Sequence, residues 1–145
     1  MGSSLLKGII SATLFFVGIF LISMVYKTQI STQRDAAAKE ERDFERTTHI
    51  NTIASAVAAY RDDHSRQLPA LIGSEDKYIC RSELFSDCGD LVDLRSLLST
   101  YIVAFPSDPS APFDSNTYYM IKINGSGQIV VTAPLSETQP IIATR

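Results

Sequence analysis

Ile50-Asn-Thr-Ile-Ala-Ser-Ala-Val-Ala58 places Ile50, Ile53, Ala54, Val57 and Ala58 at the i, i+3, i+4, i+7 spacing of a helix with one buried face. Working outward, residues 27–66 contain neither Pro nor Gly, and helix formers dominate in Arg34-Asp-Ala-Ala-Ala-Lys-Glu-Glu-Arg42. Residues 33–48 are almost wholly polar apart from alanines and Phe44. That pattern predicts a solvated stretch that does not lie against a large core. Leu68-Pro69 closes the helix, because proline removes a donor and disfavours helix at the residue before it.

Toward the N-terminus the same helix changes character. Residues 8–26 carry no charged side chain, and Lys7 and Lys27 bracket them. A helix of that length covers roughly 28 Å, close to the hydrocarbon core of a bilayer. Tyr26 stands where an interfacial aromatic belongs. A cleaved secretory signal is the competing reading, but its apolar core is shorter and a small-x-small site follows it closely. Here Met24-Val-Tyr-Lys27 is bulky, and Ala36-Ala-Ala38 lies too far downstream. The expectation is a retained membrane anchor over residues 1–27, a charged helical stalk over 28–48 and a head over 49–145. Uninterrupted from Leu5 to His64, the helix would run roughly 90 Å.

The whole chain has 145 residues and a formal charge of −3. Outside the anchor the balance is more acidic, since Lys7 and Lys27 are two of the 13 basic residues while all 16 acidic ones follow. An acidic surface with no basic cluster argues against a nucleic-acid binder. Cys80 and Cys88 are the only cysteines, and polar Arg-Ser-Glu-Leu-Phe-Ser-Asp separates them. They lack a CxxC spacing and a second Cys or His pair, so zinc and thioredoxin-like chemistry fit poorly. A disulfide in an oxidising compartment is the favoured reading, two free thiols the alternative. Balanced charges at the two ends of the apolar run leave orientation to the cysteines, which put the N-terminus inside and the head outside.

The last third reads as strand. Tyr119, Ile121 and Ile123 fall on one face of one segment, Ile129, Val131 and Ala133 on one face of the next. Asn124-Gly-Ser-Gly127 between them is a hairpin turn, on the expectation that Asn and Gly accept positive φ. The same Asn-Gly-Ser is formally a glycosylation sequon, and the turn reading is preferred. Leu91 to Tyr101 reads as a strand start running into a helical turn. Phe105 to Pro112 holds three prolines and must be an ordered loop. Ile141-Ile142 either adds an edge strand or frays. The fold class expected is α+β, one long N-terminal helix packed on a small antiparallel sheet.

The catalytic inventory is thin. His49 and His64 would stand roughly 22 Å apart on one straight helix. No GxSxG, HExxH, P-loop or GxGxxG is present. Asp62-Asp63 read as a solvated helix end. The acidic loop with Glu83, Asp87, Asp90 and Asp93 lacks the alternation and glycine of an EF-hand. Asp108 with Asp114, Ser115 and Asn116 gathers oxygen ligands in one loop and is the candidate metal site, for calcium. Apart from that ion no cofactor is expected, and no enzyme.

The ordered set of segments resembles the type IV pilins and type II secretion pseudopilins. Arg46 to Pro69, with its small-residue stripe and Tyr60, is similar to the end of the family's long helix. Leu91-Val-Asp-Leu94, Tyr101-Ile-Val-Ala-Phe-Pro-Ser-Asp-Pro109, and Tyr118-Tyr119 through Thr132-Ala-Pro134 resemble its loop, its Pro-x-Asp-Pro turn and its final hairpin. Together they cover about half the chain in the family's order. The resemblance implies a pilin-like fold and a non-catalytic, bacterial, single-pass protein of the inner (cytoplasmic) membrane. Its N-terminus would be cytoplasmic, its head extracytoplasmic, and its partners the membrane through residues 8–26 and other pilin-like subunits of a fimbrium or pseudopilus.

The family's leader ends in a glycine, with a glutamate five residues on. Gly2, Gly8 and Gly18 are followed at that distance by Lys7, Thr13 and Ser23, and the first carboxylate in the chain is Asp35. The candidate leader cleavage lies between Gly8 and Ile9. Gly8, Ser11, Ala12 and Gly18 are small enough to let helices pack closely in the bilayer. The departure leaves a second reading, a permanently anchored extracytoplasmic binding or adaptor domain of the same fold that does not polymerise.

Overall fold

The computed structural model describes residues 2–69 and 72–145, with side chains described from Ile19 onward except at 70 and 71. The protein is α+β. One helix, α1 (Gly2–Asp63), precedes four strands: β1 (Lys77–Cys80), β2 (Asn116–Ile123), β3 (Ile129–Ala133) and β4 (Ile141–Thr144). A single 3-10 turn, Arg95–Leu97, lies between β1 and β2. The chain forms two compact units, Met1–Ala38 and Lys39–Arg145.

In the first unit the side chains from Ile19 to Tyr26 are largely exposed, Phe20 and Ile22 among them. Thr28, Ser31 and Thr32 turn their hydroxyls back onto carbonyls three or four residues earlier, which satisfies them within the helix. Among the described residues no helix is long and apolar enough to cross a membrane. Residues 8–18 of the expected span lie outside the described side chains, and with them Gly8, Ile9, Ser11, Ala12 and Gly18.

In the second unit the strands run in the order β1-β2-β3-β4, every neighbour antiparallel. Ile50, Ile53, Ala54 and Val57 of α1 are buried together with Tyr119 and Ile121 of β2 and Ile129 and Val131 of β3. The apolar stripe and the alternating strands therefore meet as their periodicities require. Val92, Leu94, Leu97 and Phe105 complete the same core. Each such side chain contributes about 1.5–3 kcal/mol by leaving water.

The helix stops a turn before Leu68-Pro69. Ser65 and Arg66 both take positive φ, 55° and 68°, and the Arg66 N–H donates to the Arg61 carbonyl at 2.8 Å. This is the six-to-one bond of a Schellman end, with serine where glycine is usual. The hairpin lies where it is expected, but by a different device. Only Gly127 has positive φ, 77°. Asn124 instead accepts the Ser126 and Gln128 N–H groups on Oδ1, at 3.0 and 2.9 Å. The Ile141-Ile142 alternative resolves to an edge strand, β4, paired with β3.

Candidate functional site

The charged middle of α1 does not stay solvated to Thr48. Continued backward by three and four, the stripe Val57, Ile53, Ile50 reaches Arg46 and Asp43. Both are buried, and Arg46 is fully so. Packing therefore begins several residues before the expected boundary at residue 49, and the compact unit starts at Lys39. The stripe does not break there. It changes from apolar to ionic.

All five N–H donors of the Arg46 guanidinium have acceptors. Nε donates to Asp108 Oδ2 at 2.7 Å, and Nη2 to Asp108 Oδ1 at 3.1 Å and Ser110 Oγ at 2.8 Å. Nη1 donates to Asp43 Oδ1 at 2.8 Å and Glu137 Oε1 at 3.0 Å. Asp43 in turn accepts the Glu137 and Thr138 N–H groups and the Thr138 hydroxyl, the last at 2.6 Å. Arg42 closes the edge with a two-pronged pair to Glu137, at 2.6 and 2.7 Å. Two cations thus face three carboxylates and join three segments: the helix, the proline-rich loop and the β3–β4 connection. The mutual attraction is strong because the centre is dry, and it compensates desolvation because every donor is matched.

The loop is delivered to this clasp by an irregularity in β2. Tyr78 pairs with Met120 but Cys80 with Asn116, so three residues of β2 stand opposite one of β1. Within that bulge Tyr118 takes a φ of 63°, a costly conformation for a bulky residue. Local bonds hold it. Asn116 Oδ1 accepts the Tyr118 N–H at 2.7 Å, and Asp114 Oδ2 accepts the Tyr118 hydroxyl at 2.8 Å, which raises that phenol's pKa. The two extra residues turn the Thr117 carbonyl toward the Asp108 N–H, 2.9 Å away, and so seat Asp108 beside Arg46.

These bonds also account for the candidate metal ligands. Both oxygens of Asp108 are engaged with Arg46, and Asp114 is committed to Asn116 and Tyr118. Among the described residues no group of three or more His, Cys, Asp or Glu is placed to hold a metal ion.

Cys80 and Cys88 are disulfide-bonded, with Cα atoms 5.7 Å apart. The bridge returns the chain to Val92, which bonds both the Tyr78 carbonyl and the Cys80 N–H. Val92 thereby covers part of the outer edge of β1. The two histidines stay apart. His64 stacks on Tyr60 with ring centres 3.8 Å apart, whereas His49 shares a 2.8 Å hydrogen bond with the buried Tyr119 hydroxyl. A shallow groove of about 630 Å³ on the outer helix face is lined by Thr48, Asn51, Thr52, Ser55, Ala59 and Tyr101, with no nucleophile–base pair.

Several protonation equilibria are displaced. Burial would raise the Asp43 pKa, but hydrogen bonds from Thr138 and Arg46 prevail and hold it well below the usual carboxylate range. The Arg42 hydrogen bond, reinforced by Arg46, lowers Glu137 to about 2. Burial lowers His49, against the opposing pull of Glu45 and Asp108. A carboxylate with a depressed folded pKa contributes stability above its unfolded value and loses it as pH falls toward the folded one. A histidine with a depressed folded pKa likewise favours folding above about pH 6.5 and opposes it below. Stability should therefore decline in two stages on acidification, first below about pH 6.5 and then from about pH 5 toward 2. Urea titrations across this range check it. His49→Gln should flatten the first stage and leave the second intact.

No family model, curated protein or solved structure matches the chain.

Proposed function

We propose that the protein is a non-catalytic structural or assembly subunit of a type IV pilus-like or type II secretion pseudopilus-like system, with a pilin-like head carried on a membrane-anchored helix. The observation that carries this reading is the order of parts on α1. An uncharged run at residues 8–26 is followed by a charged stretch and then by a stripe buried in a disulfide-braced antiparallel sheet. The titratable groups with the shortest contacts are spent on fastening segments to one another, which suits an assembly part better than an enzyme.

The missing leader glutamate supports the second reading, an anchored extracytoplasmic binding or adaptor domain that does not polymerise. N-terminal analysis of the membrane-extracted chain and of sheared filaments separates the two. A mature chain beginning at Ile9 and recovered in filaments is the expected result. An intact Met1 and no recovery in filaments would replace the first reading by the second. Deleting residues 1–27 should release the head from membranes in either case.

A further inference from the structure

We propose that Asn124 is a self-modification site, converting to aspartate and isoaspartate through a cyclic imide closed by the Gly125 nitrogen while the head stays folded. The Gly125 nitrogen attacks Asn124 Cγ, and the new N–Cγ bond closes a five-membered ring. Nδ2 departs as ammonia, taking up the proton lost from the Gly125 nitrogen. Water then opens the ring. Cleavage at the former side-chain carbonyl leaves aspartate, and cleavage at the main-chain carbonyl leaves isoaspartate, with the backbone rerouted through Cβ and Cγ.

The turn supplies what this chemistry needs. In the tetrahedral adduct the charge gathers on Oδ1, which already accepts N–H donors from Ser126 at 3.0 Å and Gln128 at 2.9 Å. Donors placed on an oxygen that becomes negative lower the barrier to forming it. The Gly125 N–H has no hydrogen-bond partner among the described residues, so the attacking nitrogen gives up no contact. Gly125 is exposed, and a Cβ built there would meet nothing within 4 Å. The leaving amide donates to Gln128 Oε1 at 2.9 Å.

The chain's other two asparagines lack this combination. Asn51 lies inside α1 with Nδ2 bonded to the Thr47 carbonyl, and Asn116 opens β2. Each is followed by a β-branched threonine, which crowds the nitrogen that would attack. Conversion at 124 would add one negative charge at the hairpin tip. The isoaspartate form would also lengthen the backbone where the Asn124 N–H meets the Gln128 carbonyl at 2.9 Å.

The test is peptide mapping of the full chain, held folded at mildly alkaline pH beside an aliquot unfolded in urea. The expected result is a gain of about 1 Da, with isoaspartate, at position 124 of the folded chain. Its rate should come within roughly tenfold of the urea sample and run well ahead of Asn51 and Asn116. A folded chain that keeps its amide while the urea sample is half converted would overturn the proposal. So would equal rates at all three asparagines. Gly125→Ala keeps the turn, since φ there is not positive, and should slow conversion roughly tenfold. An unchanged rate in that variant counts against ring closure by the Gly125 nitrogen.

Discussion

Arg46→Ala should destabilise the head by about 3–5 kcal/mol, the cost of leaving buried carboxylates without their cation. Asp108, with a fully buried side chain, would lose both its charge partner and its two-pronged hydrogen bond. Asp43 would lose one of the bonds that keep it ionised. A domain of this size is stable by about 5–15 kcal/mol in all, so the midpoint should fall by roughly 15–25 °C. Thermal unfolding of the full chain measures this. Arg46→Lys should recover little, because an ammonium cannot serve three carboxylates and a serine in one plane. Arg46→Met combined with Asp43→Asn and Asp108→Asn should recover much of the loss, since no charge then remains buried and unmatched. A loss below about 1 kcal/mol for Arg46→Ala would reduce the clasp to the rank of a surface ion pair.

Cys80→Ala with Cys88→Ala should cost about 2.5 kcal/mol from loop-closure entropy alone, for so short a loop. The structure adds a local consequence. Cys80 is itself buried in β1, and Val92 bonds β1 on the side away from β2. Freed from the bridge, the residues leading to Val92 lose their tether, and amide exchange at Cys80 and Val92 should quicken more than at Ile53 or Val131. Hydrogen exchange on the variant and on the oxidised protein gives the comparison. Uniform quickening at all four positions would mean that the bridge acts through the unfolded state only.

The helix, the hairpin, the disulfide and the 3-10 turn after Val92 were legible because each rests on local periodicity or spacing. β1 was not. Lys77–Cys80 is four residues long, too short for alternation to register, and it becomes a strand through β2 and Val92. The clasp was hidden for another reason. Asp43 and Arg46 occupy the same helical stripe as Ile50 and Ile53, but charged residues are ordinarily read as solvated. Carrying the three-four spacing past the first polar residue would have exposed them. Their partners Asp108 and Glu137, 62 and 91 residues from Arg46, lie beyond any local pattern. Asp108 was singled out as an oxygen ligand, and it does meet a cation. That cation is a guanidinium from the chain itself.

The clasp's position along α1 has a mechanical consequence. It is the first buried layer after Lys39, so tension travelling up the helix from the N-terminal side enters the head at Asp43 and Arg46. A pull along the helix loads the four Arg46 bonds that leave α1, to Asp108, Ser110 and Glu137, and detachment is then governed by an unfolding rate. Asp108 passes part of the load to the loop, and Glu137 with Thr138 passes part to the connection before β4. The joint therefore shares a stretching force among segments that a purely apolar contact would let slide.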